Sequence, residues 1–128
     1  MDFYIKSSKT SPSVHVNTSE GFIFIKGKSV PESSVHFYFP IIDKLKVLIK
    51  KDQHITLEFD LEYFNTSSSK CIFDLIRAVK RRTKNLQVNW YYEEFDTDMM
   101  ETGEDFSDAL MVPFNFLASV PEEYRTSS

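Results

Sequence analysis

Four consecutive hydroxyl side chains, Thr66, Ser67, Ser68 and Ser69, stand in the stretch FNTSSSK. Hydroxyls at that density can cap a helix, act as a nucleophile, or accept a phosphoryl group. A cap needs one oxygen to accept from the orphan N–H groups of a first helical turn, which accounts for one of the four. A nucleophile needs a base and an orienting acid, and no G-x-S-x-G elbow marks one here. A phosphate at this place would add nearly two negative charges, held by the free N–H groups and the helix dipole at roughly 0.3–1 kcal/mol for the dipole alone. It would change the surface charge sharply while barely disturbing the fold. On these residues alone, the plain cap and the phosphoacceptor both remain open.

Other chemistries find less support. The chain has three glycines, Gly21, Gly27 and Gly103, too scattered to write either a P-loop or a dinucleotide fingerprint. His15, His36 and His54 are far apart, with no i,i+4 pair to hold a metal. The single cysteine, Cys71, excludes an internal disulfide and a cysteine zinc cluster, and its place beside an apolar helical stripe reads as core. The acidic segment EEFDTDMMETGEDFSD, residues 93–108, begins with D-x-D but lacks the oxygen and glycine spacing of a calcium loop. It reads as an acidic helix start. A rival function uses its Glu93, Glu94, Asp96 and Asp98 in a small-molecule- or metal-binding α/β domain. No cofactor is expected, and no enzymatic activity.

The elements that position these residues follow from periodicity. Ile55, Leu57, Phe59, Leu61 and Tyr63 alternate with Thr56, Glu58, Asp60 and Glu62, predicting a strand with one buried face that runs into the hydroxyl cluster. Ile72, Leu75, Ile76 and Val79 recur at helical spacing, predicting a helix from about Ser67 to Thr83 that opens on the cluster. Upstream, Ser13–Asn17 reads as a short edge strand in a hairpin with the FIFIK strand between Gly21 and Gly27. A helical region opens at Pro31 and carries Val35, Tyr38, Ile42, Leu45 and Ile49 on its core face. Pro40 either kinks it or divides it in two. Downstream come a strand over Leu86–Tyr92, a helix from about Asp96 or Asp98, and a last strand over Pro113–Ala118, with a frayed tail after Pro121. The order is β-β-α-β-α-β-α-β, and crossovers of this kind bring the later strands parallel. Because each strand keeps a polar face, helices are expected mainly on one side of a mixed sheet of about five strands.

Composition narrows the setting. The chain has 128 residues, 41% hydrophobic and 27% charged, as one globular domain over 1–128 would have. The net charge of −4 argues against nucleic-acid binding, which needs a basic surface. The one basic run, residues 80–84, closes a helix where cations favour the negative end of the dipole. No stretch is long and apolar enough to insert in a membrane, and no signal peptide is visible, so a cytoplasmic location is expected.

The blocks TSPSV, VPE, LEYFNTSSSK, VNWYYEEFDTDMMETGEDF and the final PF occur in this order across nearly the whole chain. Together they resemble the SiaC family of regulatory phosphoproteins, which are similar to the STAS domains of anti-sigma-factor antagonists. The resemblance implies a STAS-like α/β fold and partner switching. A dedicated protein kinase phosphorylates the protein and a PPM-type phosphatase reverses it, while the unphosphorylated form binds a signalling partner such as a diguanylate cyclase and promotes cyclic di-GMP synthesis. The implied phosphoacceptor is the threonine after Asn65, here Thr66, with Ser67 and Ser68 as fallback acceptors. Phosphate on Thr66, close in sequence to Asp60 and Glu62, would place negative charge on a partner-binding surface. Glu62, Arg77 and Lys80 are the expected interface residues, the two cations steering an acidic partner.

Overall fold

The computed structural model describes residues 2–119. Its elements are β1 (Phe3–Ile5), β2 (Ser13–Asn17), β3 (Phe22–Ser29), α1 (Ser34–Leu48), β4 (Ile55–Phe64), α2 (Thr66–Arg82), β5 (Leu86–Glu93), α3 (Thr97–Leu110) and β6 (Phe114–Ser119). The strands form one mixed sheet in sequence order, β1 to β6. β1, β2 and β3 pair antiparallel, and β3 to β6 pair parallel through the three helical crossovers. The sheet has six strands rather than five, because Phe3–Ile5 pairs outside β2 and makes Ser13–Asn17 an interior strand. Three residues are too short a run to show an alternation, so this strand carries no pattern of its own. The β2–β3 turn is fixed by Asn17, whose Oδ1 accepts from the Glu20 N–H at 3.1 Å. It needs Gly21: φ is +76°, and a Cβ there would lie 2.5 Å from the His54 carbonyl oxygen.

Apolar positions of every inner strand turn to one face. Val14, Val16, Ile23, Ile25, Ile55, Leu57, Phe59, Val88 and Trp90 are all buried there. They join Tyr38, Ile41 and Leu45 of α1, Ile72, Leu75 and Val79 of α2, and Met99, Phe106 and Leu110 of α3 in one core. Each such side chain contributes on the order of 1.5–3 kcal/mol by leaving water. All three helices therefore cover the same face, as the one-sided alternation requires, and Thr56, Glu58 and Asp60 stay partly exposed on the other.

Three local expectations are corrected. Gly27 pairs with Leu61 but Lys28 with Tyr63, so Glu62 is the extra residue of a β-bulge. The bulge reverses the alternation: Tyr63 turns out, 57% exposed, and Phe64 turns in against Trp90 at 6.2 Å between ring centroids. On α1, Val35 is 55% exposed and Ile41 takes its place in the core stripe. Pro40 lies inside a single helix and divides nothing. The carbonyl it leaves unbonded belongs to exposed His36, within reach of water. The expected tail after Pro121 lies outside the described residues.

Candidate functional site

β4 delivers the chain to the hydroxyl cluster, and Asn65 turns it into α2. Asn65 has an extended backbone (φ −85°, ψ 175°), and its Oδ1 accepts from the Ser68 N–H at 2.9 Å. Its own N–H donates to the Ser29 carbonyl at 3.2 Å, tying the ends of β4 and β3 together. The cap is thus the asparagine, and all four hydroxyls fall in the first turn of the helix. None of them is needed for capping.

The first turn sorts these hydroxyls by direction. Ser68 points inward and is fully buried, with its Oγ 3.0 Å from both Ser29 Oγ and Ser34 Oγ. Ser29 Oγ in turn lies 2.5 Å from the Tyr38 hydroxyl. Ser67 is exposed as a residue, yet its Oγ is shared between Ser34 Oγ at 2.9 Å and Asn65 Oδ1 at 3.1 Å. A chain of hydrogen bonds therefore runs from Tyr38 through Ser29, Ser68, Ser34 and Ser67 to Asn65, linking β3, α1 and α2. Thr66 is exposed, and its hydroxyl has no partner among the described residues. Ser29, Ser34 and Tyr38 were not legible as part of this site. Ser29 is a lone hydroxyl on a strand, Ser34 stands beside the α1 cap Ser33, and Tyr38 reads as ordinary core.

The electrostatics suit an anion. α1 and α2 follow parallel strands and run side by side in the same direction, with Ser34 against Ser67 at their N-termini. Neither helix has an acidic residue in its first turn. Two positive dipole ends therefore open side by side, at the turn that carries Thr66. Burial pushes the Tyr38 phenol up to about 12 despite its bond from Ser29, so the buried hydroxyl chain is neutral at physiological pH. Cys71 is buried one turn further along α2; burial, helped by the Asp74 carboxylate, raises its thiol above the usual range, against nucleophilic use.

The expected interface residues fall in three separate places. Glu62 is exposed at the bulge, in a small cleft with Asp96, Asp98 and Thr102 at the start of α3. Arg77 projects from α2, paired with Asp74 at 2.9 Å and 5.8 Å from the Phe73 ring centroid. Lys80 reaches the other way and donates to the Leu110 carbonyl that ends α3. Arg82 does the same for α1, holding the Ile49 carbonyl with two nitrogens at 2.6 and 3.1 Å. The basic run therefore closes its own helix and two neighbouring ones.

The acidic segment becomes α3, with Asp96 as its N-cap accepting from the Met99 N–H at 3.0 Å. Among the described residues no three His, Cys, Asp or Glu side chains cluster closely enough to hold a metal ion. His15 sits edge-on between Tyr4 and Phe22, while His36 on α1 and His54 in the loop before β4 are exposed. No described helix is long and apolar enough to cross a membrane.

Comparison with known proteins places this geometry. A curated relative, an uncharacterized protein of Pseudomonas aeruginosa strain UCBPP-PA14, is 26% identical over 117 residues, covering 88% of this chain and 93% of the relative. The fold is shared with apo-SiaC of Pseudomonas aeruginosa at a TM-score of 0.77 and 24% identity, over 92% of this chain and 99% of that one. It is shared too with a chain in the structure of the diguanylate cyclase SiaD with its activator SiaC, from the same organism. There the TM-score is 0.79 at 22% identity, over 92% and 100% of the two chains. The family model for SiaC regulatory phosphoproteins matches residues 5–119, nearly the whole of the described structure, and this chain belongs to that family.

Proposed function

We propose that this protein is a non-enzymatic partner switch of the cytoplasm, controlled by reversible phosphorylation of Thr66. A dedicated kinase adds the phosphate and a PPM-type phosphatase removes it. The unphosphorylated form binds and regulates a signalling partner such as a diguanylate cyclase. One observation carries the reading: of the hydroxyls of Thr66, Ser67 and Ser68, only that of Thr66 is both exposed and without an internal partner. A kinase can reach it without breaking a bond of the junction. Family membership supports the phosphoprotein role, and the cyclase class of partner is suggested by a similarly folded chain being named as the activator of one.

The mechanism follows from charge. A phosphate adds about 1.5–2 negative charges at neutral pH and three strong acceptor oxygens. At the paired starts of α1 and α2 it meets free N–H groups, so the fold tolerates it. To a docked partner it presents bulk and negative charge, four residues along the chain from exposed Glu62, and the partner leaves. The test is intact-mass spectrometry with site mapping on protein from its native cells, paired with a cyclase assay. A mass gain of about 80 Da localised to Thr66, together with cyclase stimulation that is lost in Thr66→Glu and kept in Thr66→Ala, is the expected result. Phosphate on Ser67 or Ser68, or undiminished stimulation by Thr66→Glu, overturns it.

A further inference from the structure

Between the outer sides of α1 and α2 runs a groove of about 500 Å³. Its apolar part is Phe39 and Ile42 of α1 with Ala78 of α2, and its walls carry Lys46, Arg77 and Arg81. With Arg82 and Asp74 included, four cations line it against one carboxylate, in a chain whose net charge is −4. Arg77 is held by Asp74 and Arg82 by the Ile49 carbonyl. Lys46 and Arg81 have no acidic partner among the described residues. Phe39 is 60% exposed, and Val35, one turn earlier on the same helix, is 55% exposed. An exposed aromatic beside two arginines has the composition of an interface, with Lys46 at its charged rim.

We propose that this groove is the docking site for an acidic amphipathic helix of the signalling partner. The partner's apolar stripe seats on Phe39, with Ile42 and Ala78 at the floor and Val35 in the adjoining hollow beyond Phe39, and carboxylates flanking that stripe meet Lys46, Arg77 and Arg81. From Val35 to Lys46 α1 spans roughly 16 Å, so about three turns of a partner helix can lie along it. A third helix laid between two parallel ones also follows the usual ridge-and-groove packing. Nucleic acid fits less well, because the cations form one narrow strip and duplex binding requires a broader basic surface. The proposal rests on the partner-switch reading for two points, that the occupant is the signalling partner and how its helix is released. The Val35 end of the surface adjoins Ser34, which bonds to Ser67 next to Thr66, so a phosphate there would repel the acidic helix at its end.

The test places the photo-crosslinker p-benzoylphenylalanine at position 39 of the full chain in native cells. A second variant carries it at Leu117, on the open face of the sheet. The crosslinked peptide is sequenced, and the purified partner is titrated against the wild type and against Lys46→Glu/Arg81→Glu, whose folding is verified by circular dichroism. Expected are crosslinks from position 39 into an acidic helical segment and at least about a tenfold loss of affinity on charge reversal. Crosslinks only from position 117, no crosslink from position 39, a basic segment, nucleic acid or a second copy of this chain in the groove, or an affinity unchanged by the reversal each overturn the proposal. Position-39 crosslinks that persist undiminished in Thr66→Glu would instead remove the switch and leave the groove in place.

Discussion

Ser68→Ala and Thr66→Ala delete the same kind of hydroxyl from the same helical turn, and the structure predicts opposite outcomes for stability. Ser68 Oγ takes part in two buried hydrogen bonds of 3.0 Å, to Ser29 and Ser34. At about 0.5–1.5 kcal/mol each, their loss costs about 1–3 kcal/mol. The cost stays at that level because Ser29 keeps Tyr38 and Ser34 keeps Ser67, so no buried oxygen is orphaned. The better helix propensity of alanine returns about 0.5 kcal/mol. Thr66 is exposed with no hydroxyl partner among the described residues, so Thr66→Ala gains the propensity and loses nothing. The two variants should differ by about 2 kcal/mol, or about 1 M in urea midpoint for a slope near 2 kcal/mol/M. Equilibrium urea unfolding followed by tryptophan fluorescence measures this directly, since Trp90 is buried in the core. Equal destabilisation by both substitutions would show that Thr66 is part of the hydrogen-bonded junction. A neutral Ser68→Ala would show that the hydroxyl chain contributes nothing. Either result refutes the division between an available Thr66 hydroxyl and the bonded hydroxyls of Ser67 and Ser68.

Two further substitutions test the packing around the site. The folded-state value for Tyr38 is raised from 10.0 to about 12, so stability present below pH 10 is lost as pH rises through that window, by about 2–3 kcal/mol in total. In Tyr38→Phe this alkaline decline should shrink by that amount, after a loss of about 1 kcal/mol at neutral pH from the bond to Ser29, and denaturation at a series of pH values shows both. Gly103→Ala places a Cβ 2.7 Å from Trp90 Cδ1 and Nε1 and 2.8 Å from Phe116 Cε1. Trp90 cannot yield freely, because its Nε1 donates to the Met99 carbonyl at 2.9 Å. An overpacking cost of about 1–3 kcal/mol should therefore exceed the roughly 1 kcal/mol gained in helix propensity. A raised melting temperature would contradict that.

Periodicity in the sequence alone determined the three crossover helices, the parallel strands between them and the covering of one sheet face, because the period of apolar residues dictates which side each element buries. Strand β1 escaped because three residues carry no period. Tyr63 was assigned to the core because a bulge, which inserts one residue into the ladder, leaves no mark in an alternation until the partner strand is known. The hydroxyl cluster itself was visible as a cap-or-acceptor site, and family resemblance pointed to Thr66 within it. Only the tertiary structure decided which of its hydroxyls are occupied. Ser29 and Ser34 reach Ser68 from 39 and 34 residues away, and Tyr38 joins them through Ser29. Likewise, no local pattern could show that Lys80 and Arg82 hold the ends of α3 and α1, leaving Lys46 and Arg81 without acidic partners beside Phe39. Contacts between distant segments depend on how parallel strands set neighbouring helices side by side, and that arrangement exists only in the folded chain.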